Sequence, residues 1–133
     1  MASIFTKIIN REIPGQIVAE DDRFIAFLDI NPLVMGHTLV VPKSEIDYIY
    51  DLDDELLKDL HIFSKKVAGA IKQVCDCKRI GISVIGLEVP HAHIHLIPIN
   101  EMDDMNFSRP KLTPTPSELQ EMNDKISFKF QSI

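Results

Sequence analysis

The stretch Glu88-Val-Pro-His-Ala-His-Ile-His-Leu-Ile-Pro98 sets the reading of the whole chain. His91, His93 and His95 are three of only five histidines in 133 residues, and Ala92, Ile94 and Leu96 separate and follow them. A period of two is that of a β-strand, so the pattern predicts a strand with three imidazoles on one face and apolar groups on the other. Pro90 and Pro98 bracket the run, as suits a strand whose ends are set by residues without a backbone donor.

Three imidazoles in a row suggest either a metal site or a surface for an extended anion. At ~3.3 Å rise per residue, the outer two rings are rooted ~13 Å apart. Zinc needs each ligand nitrogen at ~2 Å, so one ion cannot take all three. Two neighbouring rings could share an ion only with ligands from elsewhere. A row of rings lining an anionic group, with one ring attacking it, fits the spacing better.

The surrounding chain places this strand in a small mixed domain. Ile4, Phe5, Ile8 and Ile9 form a short apolar pattern of one or two helical turns before the Pro14-Gly15 turn. Gln16–Ala19 and Arg23–Leu28 read as a hairpin around Glu20-Asp-Asp22. Asn31-Pro32 marks a loop, and Gly36 precedes a strand over His37–Val41. Pro42–Tyr50 is a connection with a short helical turn. From Leu52 to Val74, the apolar residues Leu56, Leu60, Phe63, Val67, Ile71 and Val74 recur every three or four positions, predicting one long helix with an acidic start. Ile80–Ile85 is a β-prone run that pairs with the histidine strand across a short connection. Thr115-Pro-Ser-Glu118 reads as a capping box opening a helix through Ile126, and the alternation of Phe128 and Phe130 suggests an edge strand or packing across a partner. The sum is an α+β domain, an antiparallel sheet with one long helix packed on a face.

Composition narrows the function classes. Fourteen basic against twenty acidic residues give a net charge of −6, which argues against a nucleic-acid partner. No apolar run approaches the length of a membrane span. Cys75 and Cys77 are too close for an ordinary structural bridge and point to a reducing compartment. A cytoplasmic protein without membrane association is expected.

The motif His91-Ala-His-Ile-His-Leu-Ile97 resembles the signature of the histidine triad (HIT) family of nucleotide hydrolases and transferases, whose pattern is His-φ-His-φ-His-φ-φ. Ala26-Phe-Leu-Asp-Ile-Asn-Pro-Leu-Val-Met-Gly-His-Thr-Leu-Val-Val-Pro-Lys43 is similar to the family's first conserved block. The resemblance implies a HIT-like domain over residues 1–100, with 101–133 an extension packed on that domain or on a dimer partner. It implies a homodimer through the long helix and neighbouring strands. It assigns nucleophilic attack on a nucleotide α-phosphate to His93, with His91, His95 and His37 as orienting or phosphate-contacting groups. It implies nucleotide contacts from Asp29, Ile30, Phe27, Leu28, Glu88, Val89 and His95, with Asp29 accepting from the ribose hydroxyls and the apolar members walling a purine. Read from local sequence alone, Asp29 is equally a turn cap before Asn31-Pro32, and Phe27, Leu28 and Ile30 are core by default.

The activity implied is hydrolysis of purine nucleoside phosphoramidates through a covalent nucleotidyl-histidine, with no cofactor. Three alternatives stay open: hydrolysis of dinucleoside polyphosphates on the same fold, a nucleotide-binding regulator with little turnover, and a metal-dependent protein, favoured only if two rings and an acid converge on an ion. The chain departs from the family before the triad, where Leu87 and Glu88 replace a glutamine and a hydroxyl residue in a shortened loop. Some bacterial relatives hold a structural zinc on two N-terminal cysteines and two histidines. Here Ser3 and Thr6 stand at the cysteine positions and Glu45 near another ligand position, so no metal is expected.

Overall fold

The computed structural model describes residues 2–133. Its elements in chain order are α1 (Ile4–Ile9), β1 (Ile17–Glu20), β2 (Phe24–Leu28), β3 (Thr38–Pro42), a 3-10 turn (Ile49–Asp51), α2 (Asp54–Val74), β4 (Arg79–Ser83), β5 (Ile94–Ile99), a second 3-10 turn (Met102–Met105) and α3 (Pro116–Gln131). The five strands form one antiparallel sheet in the order β1-β2-β3-β5-β4, an α+β architecture.

The β1–β2 turn is held by Asp21, whose carboxylate accepts from the backbone N–H groups of Arg23 and Phe24, both at 2.8 Å. Alternation then divides β2 between two cores. Phe24, Ala26 and Leu28 join Val40, Ile94 and Leu96 under Leu60, Val67 and Ile71 of α2. Ile25 and Phe27 join Leu39 and Val41 on the opposite face, against Phe5 and Ile8 of α1. The α2 stripe predicted from the sequence is the buried one, and Asp53 caps the helix by accepting from the Leu56 N–H at 2.8 Å. Leu119 and Ile126 of α3 enter the α2-side core. Among the described residues no helix is long and apolar enough to cross a membrane.

Two expectations need correction. The histidine strand is shorter than its alternation suggests: β5 starts at Ile94, so only His95 of the three lies in it. The ladder to β3 ends at Val40↔Ile94 because the next partners are taken elsewhere. The Ala92 N–H donates to the Ile46 carbonyl at 2.7 Å, and the Pro42 carbonyl meets the His91 ring at 2.7 Å. Pro98 sits inside β5 rather than at its end. The β3 pairing stops at Leu96, and the Ile99 carbonyl faces the β4 side, so the missing donor of Pro98 falls on the open side of the strand.

The second correction concerns the tail. Phe128 and Phe130 belong to α3, which runs on to Gln131 instead of giving way to an edge strand. The capping box of Thr115 and Glu118, with Pro116 in the first turn, starts this helix firmly. Two residues apart on a helix point to different sides, so Phe130 packs on Phe63 with centroids 5.8 Å apart while Phe128 stays exposed.

Candidate active site

Four of the five histidines converge on the sheet face opposite α2. The cross-strand set Phe27↔Leu39↔His95 shares that face, and His37 enters it from the residue before β3. The chain reaches His37 through a tight turn in which the His37 N–H donates to the Val34 carbonyl at 3.1 Å. Gly36 makes the turn possible. Its φ is +98°, and a Cβ there would lie 2.7 Å from the Cys75 sulfur. The Asp29 N–H then donates to the His37 carbonyl at 3.0 Å, fixing the carboxylate beside the imidazole.

Backbone groups settle which nitrogen of each ring carries hydrogen. The Leu33 N–H donates to His37 Nδ1 at 3.1 Å, so the neutral His37 ring has its hydrogen on Nε2. That Nε2–H donates to His95 Nδ1 at 2.9 Å, which leaves the hydrogen of His95 on Nε2. His95 thus presents a donor to an incoming anion. His93 is set the opposite way. Its Nδ1 lies 2.7 Å from the His91 carbonyl, which only accepts, so His93 carries Nδ1–H and keeps a free lone pair on Nε2. A ring N–H donor and an unprotonated ring nitrogen now sit side by side, with the His93 and His95 ring centroids 4.9 Å apart.

Burial keeps these rings neutral. It lowers His37 to about 3 and His95 to about 4, helped in each case by neighbouring positive charge or imidazole. His93 is also lowered by burial, against the opposing pull of the His91 carbonyl, Asp29 and Glu88. Its lone pair is available at neutral pH. Asp29 is raised by burial, with the Asn31 N–H and Lys111 acting against that.

His91 does not share the row predicted for it. Its ring is fully buried, with Nε2 donating to the Pro42 carbonyl at 2.7 Å and Nδ1 accepting from the Ser3 hydroxyl at 2.8 Å. Both ring nitrogens are therefore occupied, and its carbonyl is what orients His93. Behind it, Glu45 accepts from the Ser3 N–H and the Thr6 hydroxyl, both at 2.6 Å, and this holds Glu45 down at about 2. Ser3, Thr6, Glu45 and His91, separated by up to 88 residues in sequence, thus form one hydrogen-bonded cluster tying α1 to the site.

The remaining predicted contacts divide. Asp29 caps the turn through Oδ1, which accepts from the Asn31 N–H at 2.9 Å, while Oδ2 lies 3.8 Å from His37 Nε2. Phe27 lies in the core with Phe5, and the half-buried Val89 packs against that cluster. Ile30 is 62% exposed beside Asp29. Glu88 is exposed, yet its charge reaches both His93 and Asp29. Leu28 is excluded from the pocket, since its parity on β2 turns it into the α2-side core.

Five contributors escaped the sequence reading. Phe5 stands edge-on to His93 at 4.9 Å and to Phe27 at 5.3 Å; its place in an apolar helical pattern signalled burial but not what it would bury against. Phe107 stands edge-on to His95 at 4.9 Å, from a polar stretch with no periodicity to flag it. Tyr48, Tyr50 and His61 line a cavity of about 410 Å³ that also borders His93, together with Asp47, Ile85 and Leu87. Only tertiary proximity assembles that wall.

Two clusters could be considered for a metal. Asp29, His37 and His95 each offer an atom within 4.8 Å of the others. An ion on His37 Nε2 would require the opposite tautomer, turning an Nδ1–H against the Leu33 N–H, and would break the His37–His95 bond. At His91 the companions are two hydroxyls and a carboxylate, a poor set for zinc beside thiolates, and their hydrogen bonds already satisfy one another. At either set an ion would displace hydrogen bonds that the side chains already make.

The HIT domain family model matches residues 10–102. The chain belongs to the HIT family. HIT proteins are nucleotide-binding hydrolases and transferases, and this chain carries the family's fold and its histidines. It is 39% identical to an uncharacterized HIT-like protein of Borreliella burgdorferi, over 94% of this chain and 96% of that one. It is 33% identical to an adenosine 5'-monophosphoramidase of Schizosaccharomyces pombe, over 98% of this chain and the whole of that one. Among solved structures, a Hit-like protein involved in cell-cycle regulation from Bartonella henselae superposes with a TM-score of 0.83 at 33% identity, covering 96% of this chain and 95% of that one.

Proposed function

We propose that this HIT protein hydrolyses purine nucleoside phosphoramidates through a covalent nucleotidyl intermediate on His93. The observation that carries the reading is the free lone pair on His93 Nε2, which follows from the Nδ1–H bond to the His91 carbonyl. In the first step Nε2 attacks the α-phosphorus, a P–N bond to His93 forms, and the P–N bond to the leaving amine breaks, the amine taking a proton from solvent. In the second step water attacks the phosphorus, the bond to His93 breaks, and a proton returns to solvent with release of the nucleoside monophosphate. Splitting one displacement into two lowers the barrier to each. His95 Nε2–H stabilises the phosphate oxygens as charge shifts onto them. Asp29 Oδ2 accepts from the ribose, and Ile30 with the Phe5–Phe27 core supports the base.

The cavity beside His93 favours an amine over a polyphosphate as leaving group. Asp47 is in its wall, no lysine or arginine is among its lining residues, and Glu88 follows the lining residue Leu87. A polyanion leaving through such a wall would meet repulsion, whereas a neutral or protonated amine would not. The similarity to a monophosphoramidase points the same way.

The protein is also proposed to act as a homodimer. Strand β4 is an edge of the sheet, and Ile82, Val84, Ile85 and Leu87 on or just after it are exposed, as are Tyr48, Tyr50 and Ile62. A second copy covering this face would close the cavity beside His93.

The deciding experiment compares hydrolysis of adenosine phosphoramidate by the wild type and His93→Ala at equal folded concentration. Turnover is expected to vanish in the variant while AMP binding persists, and rapid quenching of the wild type should trap one nucleoside monophosphate per active chain by intact mass. Undiminished turnover by His93→Ala would remove the covalent route.

A further inference from the structure

The HIT family model ends at residue 102, yet the chain beyond it reaches back into the site. We propose that Phe107 and Arg109 are positioning residues that fix the hydrogen-bond donor His95 presents to the phosphate. The inference rests on the reading of the site given above and extends it to a segment outside the family domain.

The connection runs through the loop before β3. Arg109 Nη2 donates to the Leu33 carbonyl at 2.8 Å, and the Leu112 N–H donates to the Pro32 carbonyl at 2.9 Å. Arg109 is itself held from behind. Its Nη1 bonds to the Asp103 carbonyl at 3.0 Å, to Asp103 Oδ2 at 3.1 Å and to Asp104 Oδ1 at 3.5 Å. The guanidinium fork is suited to such many-sided anchoring, which a flexible ammonium could not duplicate. Leu33, clamped in this way and itself buried, is the residue whose N–H selects the His37 tautomer. His37 in turn selects the His95 tautomer. Arg109 thus acts on His95 through two intervening residues without touching substrate.

Phe107 acts on the same pair from above. Its ring is edge-on to His95 at 4.9 Å and 72°, and to His37 at 6.2 Å and 83°. It covers the His37–His95 hydrogen bond, which in the presence of competing water would lose much of its directing power. Without the ring, water reaches both imidazoles and either tautomer of His95 becomes acceptable. The charged and titratable groups facing this pair are Asp29 at the end of β2, His93 before β5, and Lys111 on the same C-terminal segment, with Glu88 reaching His93. None of these is removed by the variants below.

The test uses the full chain labelled with ¹⁵N-histidine, comparing wild type with Phe107→Ala, Arg109→Ala and the milder Arg109→Lys. In the ligand-free wild type at pH 7, His95 should show a protonated Nε2 and an unprotonated Nδ1. Phe107→Ala should mix the tautomers and raise the His95 titration midpoint by about one pH unit, as partial rehydration predicts. Arg109→Ala should mix them with little change in midpoint, and Arg109→Lys, which cannot reproduce the fork, should leave them partly mixed. With adenosine phosphoramidate, both alanine variants should lose about tenfold in kcat with KM within about twofold, since a misdirected donor weakens the transition state more than the ground state. The imidazole spectra need no turnover, so an inactive wild type would overturn the proposed activity while the tautomers still decide the positioning role. Unchanged His95 and His37 tautomers in folded Phe107→Ala and Arg109→Ala would overturn it. If neither alanine variant folds, Arg109→Lys and Phe107→Leu carry the same spectral test.

Discussion

Lowering the pH from 7 to 5 should destabilise this protein through the buried imidazoles of His37 and His95, and His37→Gln should remove about half of that loss. The ordinary histidine value is 6.5, while the folded protein holds His37 at about 3 and His95 at about 4. Both are lowered on folding, so in this range the unfolded chain binds protons that the folded chain does not. The stability these rings contribute is complete above pH 6.5 and is lost as pH falls from there toward 4 and then 3. Integrating over pH 7 to 5 gives about 2 kcal/mol for each ring, or about 4 kcal/mol for the pair. That is a large part of the ~5–15 kcal/mol that holds an ordinary domain together. The carboxylates that folding lowers, such as Glu45 at about 2, respond only below their unfolded value of 4.5, outside this window. Asp29 is raised and opposes the trend, and His91 and His93 are lowered and add to it, but all three are common to both proteins. Urea unfolding at half-unit steps between pH 5 and 7, analysed with a shared m-value, gives the slope directly. Glutamine at position 37 retains an acceptor for the Leu33 N–H and a donor for His95 but does not titrate. The variant should therefore lose about 1.4 kcal/mol per pH unit less than the wild type at the acid end of the window. Equal slopes would mean that His37 is not held neutral by the fold, and the tautomer chain from Leu33 to His95 would fail with it.

Three further outcomes are expected. Asp29→Asn should weaken AMP binding by about tenfold and 2'-deoxy-AMP binding by less, because the charged acceptor for the ribose hydroxyls is lost; equal losses by calorimetry would reduce Asp29 to the turn cap seen at its Oδ1. Glu88→Gln should move the acid limb of kcat/KM to lower pH, since the Glu88 charge raises His93, and should tighten AMP binding severalfold by removing a carboxylate near the phosphate; an unmoved limb would separate Glu88 from His93. Light scattering at micromolar concentration should return twice the 15.1 kDa chain mass, and Ile82→Lys on the exposed edge strand should shift it toward the monomer; a wild-type monomer throughout would leave the cavity beside His93 open to solvent.

The sequence by itself determined the layout. Leu60, Phe63, Val67 and Ile71 recur at the helical period, so α2 and its buried face were legible without coordinates. The hairpin, the β3 strand after Gly36 and the pairing of β4 with β5 were equally readable, because each is written in local period, turn chemistry and connection length. The three alternating histidines marked where the candidate site lies. Their individual orientations were not legible. Strand alternation would have placed His91 beside His95, but the ladder stops at Ile94, and the His91 ring turns instead to Pro42 and Ser3. The tautomers of His37, His93 and His95 depend on Leu33 and on the His91 carbonyl, backbone groups whose availability follows from the path of the chain and not from side-chain identity. Phe107 and Arg109 lie in a stretch without period and enter the site only because the chain after β5 folds back over the Pro32–Leu33 loop. Local periodicity records which face of an element is buried. Which groups meet across that buried face is a property of packing between distant segments, and only the tertiary structure decides it.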